Sequence, residues 1–343
     1  MTAWPIPLRV SFQNSVQSPA MTYLIISVIL MAAELAYFKL ADRFNIIDKP
    51  NLRSSHTTIT LRGGGIVFYF GAMAYFIVSH GAYPWFMLGL TMIAAVSFVD
   101  DLHSMPNRIR LMVQFIAMLL MFHQLGFLAL ESWWISIAAL IVCTGIINAY
   151  NFMDGINGIT GAYSIAILIP LAIVNSRIGF IDRSMIYIIG ISVLVFCIFN
   201  FRKRARCFAG DVGSVSIAFI LLFMLGALIM ATGQVWYLIF FAVYGVDSVL
   251  TIIHRLMLHE NIFKPHRKHA YQIMANELGM PHTLVSTIYF ALQTTISLGA
   301  LYLHINEWVY FISVIAVLST GYTVFQRKYF HLHLEYLKTK NKL

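Results

Sequence analysis

Five polar segments interrupt an otherwise apolar chain, and each carries residue types suited to phosphate chemistry. The most distinctive runs Asn148-Ala149-Tyr150-Asn151-Phe152-Met153-Asp154-Gly155-Ile156-Asn157-Gly158. Its polar side chains recur at every third position. Steps of three wind back by about 60° each on an α-helix, so Asn148, Asn151, Asp154 and Asn157 share no single face. A helix broken near Gly155 lets them converge, and broken helices at membrane depth occur where backbone lines a site. Asp211 stands between glycines in Gly210-Asp211-Val212-Gly213-Ser214, just ahead of an apolar run. Such an Asp serves as a helix cap. It serves equally as an oxygen ligand for Mg²⁺, which takes one or two protein oxygens plus substrate phosphates. Cys143, Cys197 and Cys207 form no C-x-x-C pair, and no H-x-H or C-x-x-C set offers a soft-metal site, so Mg²⁺ or Mn²⁺ is the expected ion.

Two adjacent carboxylates, Asp100 and Asp101, end another apolar run. That placement is costly unless they meet a cation or share a proton. A divalent metal or a bound substrate answers this, and so do Arg108 and Arg110. Further toward the N-terminus, Asp48-Lys49-Pro50-Asn51-Leu52-Arg53-Ser54-Ser55-His56 precedes Arg62-Gly63-Gly64-Gly65. Three glycines opening a helix allow close approach of backbone N–H groups to an anion, with Arg53, His56 and Arg62 adding positive charge. A glycine turn in a basic loop reads the same way. Lys264-Pro265-His266-Arg267-Lys268-His269 places basic and imidazole groups in a row, which suits a diphosphate or a lipid headgroup. Asp247, inside an apolar run and seven residues before His254, shares a face with it. A supporting role is expected for this acid, because it lies about two turns from the loop.

The elements that position these groups follow from composition. The chain has 343 residues, 59% hydrophobic, with 23 basic and 14 acidic side chains making 11% charged. Soluble domains carry about 25% charged residues, so soluble, disordered and disulfide-framework classes are excluded. A spanning helix needs roughly 20 apolar residues. Eleven candidates are present: 21–40, 65–79, 85–99, 111–126, 133–149, 159–175, 185–201, 214–231, 235–254, 283–303 and 308–325. Alternate breaks are long, polar and basic. With Lys39 and the tail they hold 20 of the 23 Lys and Arg, leaving only Arg9, Arg177 and Arg183 elsewhere. This asymmetry predicts an all-α polytopic membrane protein with the N-terminus outside and the C-terminus cytoplasmic. It also reads the net charge of +9 as membrane-facing loops and not as nucleic-acid affinity. Residues 1–20 read as a short outside tail or a start-site artefact with Met21 as the start. Residues 21–326 read as one polytopic domain and 327–343 as a basic cytoplasmic tail. No internal repeat of fixed period is present.

Together the five segments resemble the polyprenyl-phosphate N-acetylhexosamine-1-phosphate transferases. The resemblance runs from about residue 22 to 275, in the family's motif order. It rests on Asp48 to His56 with Arg62–Gly64, Asp100–Asp101, the set Asn148, Asn151, Asp154, Gly155 and Gly158, Gly210–Ser214, and His266–His269. Two departures stand out. His103 and Ser104 occupy the region where some relatives carry a third Asp, and the histidine loop lacks three consecutive histidines. The H-R-x-H-A-Y-Q form is similar to O-antigen and capsule initiators and points away from a muramoyl-pentapeptide substrate.

The resemblance implies transfer of a HexNAc-1-phosphate from a UDP-sugar, GlcNAc by default, to undecaprenyl phosphate, with release of UMP. This would initiate a cell-surface polysaccharide at the cytoplasmic face of a bacterial inner membrane, in a protein that admits a homodimer. It implies Mg²⁺ on Asp211 and Asn151, with Asp154 nearby, and Asn157 at the uracil. Arg267, with His266, Lys268 and His269, would clamp the diphosphate. Arg108 or Arg110 would attract the lipid phosphate, which Asp100 or Asp101 would orient. Two rivals are weighed. A transporter would spread charge through several helices near the midplane. A CDP-alcohol phosphotransferase needs an Ala-Arg soon after its Asp-Gly, where this chain has Ile156-Asn157.

Overall fold

The computed structural model describes residues 19–50, 55, 58–129, 133–262 and 266–340. Each of the eleven apolar segments is helical. They are α1 (Pro19–Arg43), α2 (Ile66–Val78), α3 (Pro84–Leu102), α4 (Asn107–Gln124), α5 (Trp133–Met153), α6 (Ile159–Ile178), α7 (Arg183–Asn200), α8 (Gly210–Thr232), α9 (Ala242–Met257), α11 (His282–Tyr302) and α12 (Glu307–Lys340). The short α10 (Ala270–Asn276) follows the histidine loop, and a two-residue pair, β1 (Ile47–Asp48) with β2 (Thr60–Leu61), closes the first loop. Neither α10 nor the pair carries a signal strong enough to be read from the sequence. Among the described residues, nine helical stretches are long and apolar enough to cross a membrane. The protein is an all-α polytopic membrane protein.

A helix that is apolar all round must be buried in protein or face lipid. Both fates occur here. In α8 every residue from Val212 to Leu225 is buried, which makes it the central helix of the bundle. In α12 the first buried residue is Gln326. Residues 327–340, expected as a tail, continue α12 without a break, because no Gly or Pro interrupts them.

The expected 235–254 helix is subdivided: Val235–Phe241 is a 3₁₀ segment before α9. Gln293 of α11 serves the backbone groups freed at that junction. Its Oε1 accepts from Val243 N–H at 3.1 Å and its Nε2 donates to the Ile239 carbonyl at 3.0 Å. Backbone polar groups in an apolar interior require such partners.

The five polar loops meet one another. Arg62 of the first pairs with Asp101 of the second, and Arg110 of the second pairs with Asp211 of the fourth. Asn157 of the third donates to the carbonyls of Arg202 and Lys203 in the fourth. Tyr271, after the fifth, donates to the Phe152 carbonyl of the third. Successive loops are separated by two helices each, so α2–α3, α4–α5, α6–α7 and α8–α9 run as hairpins from one end of the bundle. That end carries the candidate site.

Candidate active site

Asp101 is the anchor. Its carboxylate, fully buried, accepts Asp211 N–H at 2.9 Å and Val212 N–H at 3.0 Å, and so caps the first turn of α8 from another helix. A carboxylate at a helix N-terminus satisfies orphan donors and the helix dipole together. Arg62 Nε closes its shell at 2.7 Å from Oδ1. Asp100, its neighbour, points the other way. It accepts Met105 N–H at 2.6 Å and pairs with Arg110 Nη1 at 2.9 Å. The Asp pair therefore divides into a saturated structural member, Asp101, and a member at the site, Asp100.

Asp211 sits between the two arginines, with Arg110 Nη2 at 3.1 Å from Oδ2 and Arg62 Nη2 at 3.4 Å from Oδ1. Asn151 completes the group. In the amide orientation that satisfies both ends, its nitrogen donates to Ser214 Oγ at 3.1 Å and Asp211 Oδ1 at 3.2 Å. Its oxygen accepts from Arg110 at 3.1 Å. Arg108 is exposed on α4 and belongs to none of these pairs.

Of the two readings of the first loop's glycines, anion cradle or turn, the backbone bonds favour the turn. Gly64 N–H donates to Phe208 O at 2.9 Å and Gly65 N–H to Ala209 O at 3.1 Å. A Cβ on Gly65 would lie 2.4 Å from the Cα of Gly213. The two glycine motifs are thus a backbone-to-backbone seam that sets the start of α2 against the start of α8. Arg53 and His56 lie outside the described residues.

The third motif breaks as expected: α5 ends at Met153 and α6 begins at Ile159. The four polar groups nevertheless part. Asn148 donates back to Thr144 O at 2.8 Å along its own helix. Asn151 faces Asp211. Asp154 accepts from the Thr160 hydroxyl at 2.6 Å, and burial pushes its carboxyl up to about 7 against the pull of that bond. Asn157 is buried, and its amide nitrogen is held by two backbone carbonyls of the fourth loop. The donor half of this amide holds two loops together, while its buried Oδ1 has no partner among the described residues. Gly155 makes room for Tyr271, whose hydroxyl oxygen would lie 2.2 Å from a Cβ there.

The histidine loop is built from matched pairs. Arg267 is buried and pairs with Glu277 at 2.9 Å; His333 of α12 contacts the same carboxylate oxygen at 2.9 Å. Lys268 is buried and pairs with Glu260, which also receives Arg255 Nε at 3.2 Å. His269 Nδ1 lies 3.2 Å from Asp247 Oδ1. Burial, with His269, Arg255 and Lys268 nearby, pulls His266 down to about 3, so its ring is neutral near pH 7. An open row of four cations, as the sequence suggests, is therefore not what forms. The pairing also accounts for Asp247, the intramembrane acid on which the transport reading rests. Thr160, Glu260, Glu277 and Asn200 carry no signal in the sequence that points to these contacts. Asn200 links Gly158 N–H (2.7 Å) to Cys207 O (2.8 Å), a contact that only long-range packing creates.

Among the described residues, no three His, Cys, Asp or Glu side chains gather into a metal cage. The oxygens of Asp100, Asp211 and Asn151 do converge on one guanidinium, that of Arg110. An oxygen-only set around a cation suits a hard divalent ion that also takes substrate phosphates. The residues present therefore fit Mg²⁺.

A model of glycosyl transferase family 4 matches residues 83–232, the stretch from α3 to α8 that carries Asp100, Asp101, Arg110, Asn151, Asp154 and Asp211. The chain is 24% identical to a probable undecaprenyl-phosphate N-acetylglucosaminyl 1-phosphate transferase of Bacillus subtilis, over 77% of this chain and 79% of the relative. It is 26% identical to the undecaprenyl-phosphate alpha-N-acetylglucosaminyl 1-phosphate transferase of Escherichia coli O157:H7, over 88% and 90% respectively. A phospho-N-acetylmuramoyl-pentapeptide-transferase of Thermotoga petrophila is 26% identical over 55% of this chain and 66% of its own. The matched segment holds the Asp–Arg–Asn cluster, and the relatives named undecaprenyl-phosphate transferases align over most of the helical bundle: over this stretch the chain is similar to glycosyl transferase family 4.

Proposed function

We propose that this protein transfers N-acetylhexosamine-1-phosphate, GlcNAc by default, from a UDP-sugar to undecaprenyl phosphate and releases UMP. The observation that carries the reading is the convergence of Asp100, Asp211, Asn151, Arg62 and Arg110 at one end of a membrane bundle. One substrate is lipidic and the other aqueous, so the reaction belongs where the bundle meets water. The names of the relatives support undecaprenyl phosphate as acceptor. We place the site on the cytoplasmic face of a bacterial inner membrane, with eleven crossings and the N-terminus outside. The Lys and Arg asymmetry supports this orientation.

In the reaction, an oxygen of the lipid phosphate forms a bond to the β-phosphorus of the donor, and the bond from that phosphorus to the UMP oxygen breaks. A phosphomonoester is mostly a dianion at pH 7, so no strong general base is required. Positioning and charge neutralisation then carry the catalysis. Asp211 and Asn151 would hold Mg²⁺ with the diphosphate oxygens. The ion supplies Lewis-acid neutralisation of the charge on them. Arg110, released from Asp211, attracts the lipid phosphate, and Asp100 orients that arginine. Arg62 stays with Asp101 and keeps the start of α8 in place. Asp154 would add negative charge to the set that holds the ion.

The test is incubation of membranes with Mg²⁺, undecaprenyl phosphate and a panel of UDP-HexNAc donors, scoring UMP. Release with at least one donor is expected, and release with none refutes the function. A phosphorylated enzyme trapped with UDP-sugar alone would replace direct attack by an aspartyl-phosphate route.

A further inference from the structure

Asp247 and His269 form a buried pair with a direction. His269 Nδ1 lies 3.2 Å from Asp247 Oδ1, and Ala270 N–H donates to the same oxygen at 3.1 Å. The Tyr289 hydroxyl of α11 donates to Oδ2 at 2.6 Å, and the Thr251 hydroxyl to Oδ1 at 3.2 Å. A carboxylate in this setting only accepts, so the imidazole presents Nδ1–H to it. The second ring nitrogen, Nε2, is buried and has no partner among the described residues. Buried ring nitrogens are ordinarily bonded, so an orphaned one calls for a partner from outside the chain's own groups. The setting fits a ligand at the site. The His269 ring lies 4.9 Å from that of His266, which in turn meets Phe152 at 6.5 Å, beside the break between α5 and α6.

Among the described residues, the loop's other cations face acids, Arg267 with Glu277 and Lys268 with Glu260. His269 is committed through one nitrogen only. We propose that Asp247 is a positioning residue for the donor: it holds His269 so that Nε2 meets the diphosphate. A proton from solvent on Nε2 makes an imidazolium whose charge Asp247 balances, and Nε2–H then donates to a phosphate oxygen. No covalent bond changes in this contact. The assignment rests on the donor being a nucleoside diphosphate sugar, as read above.

A double-mutant cycle decides it, run on the full chain in detergent with Asp247→Asn, His269→Gln and both together. UDP affinity is read by calorimetry and turnover by UMP release. Each single change is expected to weaken UDP binding about tenfold, the size of one hydrogen bond to a charged group. The double variant is expected to be no weaker than H269Q alone. Losses that multiply to about a hundredfold would show that Asp247 acts apart from His269 and overturn the assignment. An unchanged affinity in D247N would also overturn it. If D247N does not run as a single species, Asp247→Glu replaces it, with partial retention of affinity expected and full loss counting against the pair. Absent turnover in the wild-type protein with every donor refutes the function, while the UDP cycle still decides the pair. Absent UDP binding in the wild-type protein refutes the ligand assigned to Nε2.

Discussion

Two charged clusters face the same end of the bundle and are built on opposite principles. In the first, three aspartates (100, 101 and 211) share two arginines (62 and 110), an excess of one negative charge. In the second, Arg267, Lys268 and His269 of the histidine loop each face an acid, Glu277, Glu260 and Asp247 in turn. A shared cation can be exchanged, whereas a matched pair is held in place. Removing one partner of a buried pair costs about 3–5 kcal/mol, because the other charge is left without compensation. The acid-rich cluster is thus suited to admit an ion, and the matched cluster to present a preformed wall.

The largest expected effect sharpens the first half of this contrast. Asp211→Ala should lower UMP release by about a thousandfold or more, the scale of losing electrostatic stabilisation in a closed site. Mn²⁺ binding, read by electron paramagnetic resonance, should be lost with it. Full activity in this variant would remove the metal assignment.

Next comes Asp154. Its carboxyl is raised from 3.8 to about 7, so it is protonated below that pH and charged above it. The wild-type rate should rise between pH 6 and 8 with a midpoint near 7. Asp154→Asn should lower it about a hundredfold and flatten that rise. The same shift acts on stability: the folded state binds the extra proton, so stability falls as pH rises from about 4 to about 7. A pH profile identical in D154N would assign the rise to another group.

Arg110→Gln attacks the contrast directly. With the shared guanidinium gone, Asp100, Asp211 and Asn151 lose their resident cation. Mn²⁺ should then bind about tenfold more tightly in the absence of substrates, by removal of a competing charge. Unchanged affinity would mean that the arginine does not occupy the ion's place, and the distinction between exchangeable and fixed clusters would collapse.

The smallest effect on function belongs to Glu277→Gln in the matched cluster. UDP affinity should fall about threefold, while thermal unfolding shifts down by a few degrees for loss of a buried partner. A larger effect on affinity than on stability would show that this pair also opens during turnover.

How much of this was legible in the sequence depended on the range of the interaction. The eleven helices follow from the lengths of apolar runs, a local property. The Asp100–Arg110 pair and the break after Met153 follow from spacing within one segment. The glycines after Arg62 read equally as an anion turn and as a plain glycine turn, because their close approach to Gly213 leaves no local signal. The partners of the Asn157 amide nitrogen, the Arg202 and Lys203 carbonyls, leave no local signal either, because the α6–α7 hairpin brings them in. The basic loop read as an open clamp because Glu260 and Glu277 gave no sign of facing it. Asp247 was read as supporting, and its distance from the loop in sequence hid the direct contact with His269.

Helix α12 carries one further consequence. It is a single rod of 34 residues, about 50 Å long at 1.5 Å per residue, against roughly 30 Å of bilayer hydrocarbon. Near its far end Gln326 donates to the Lys268 carbonyl and His333 meets Glu277, so the rod is bolted to the histidine loop. Tilt of α12 is thereby transmitted to the groups that would face the donor. Bilayer thickness, which sets helix tilt, becomes an input to donor affinity, and vesicles of graded acyl length offer a dial for it.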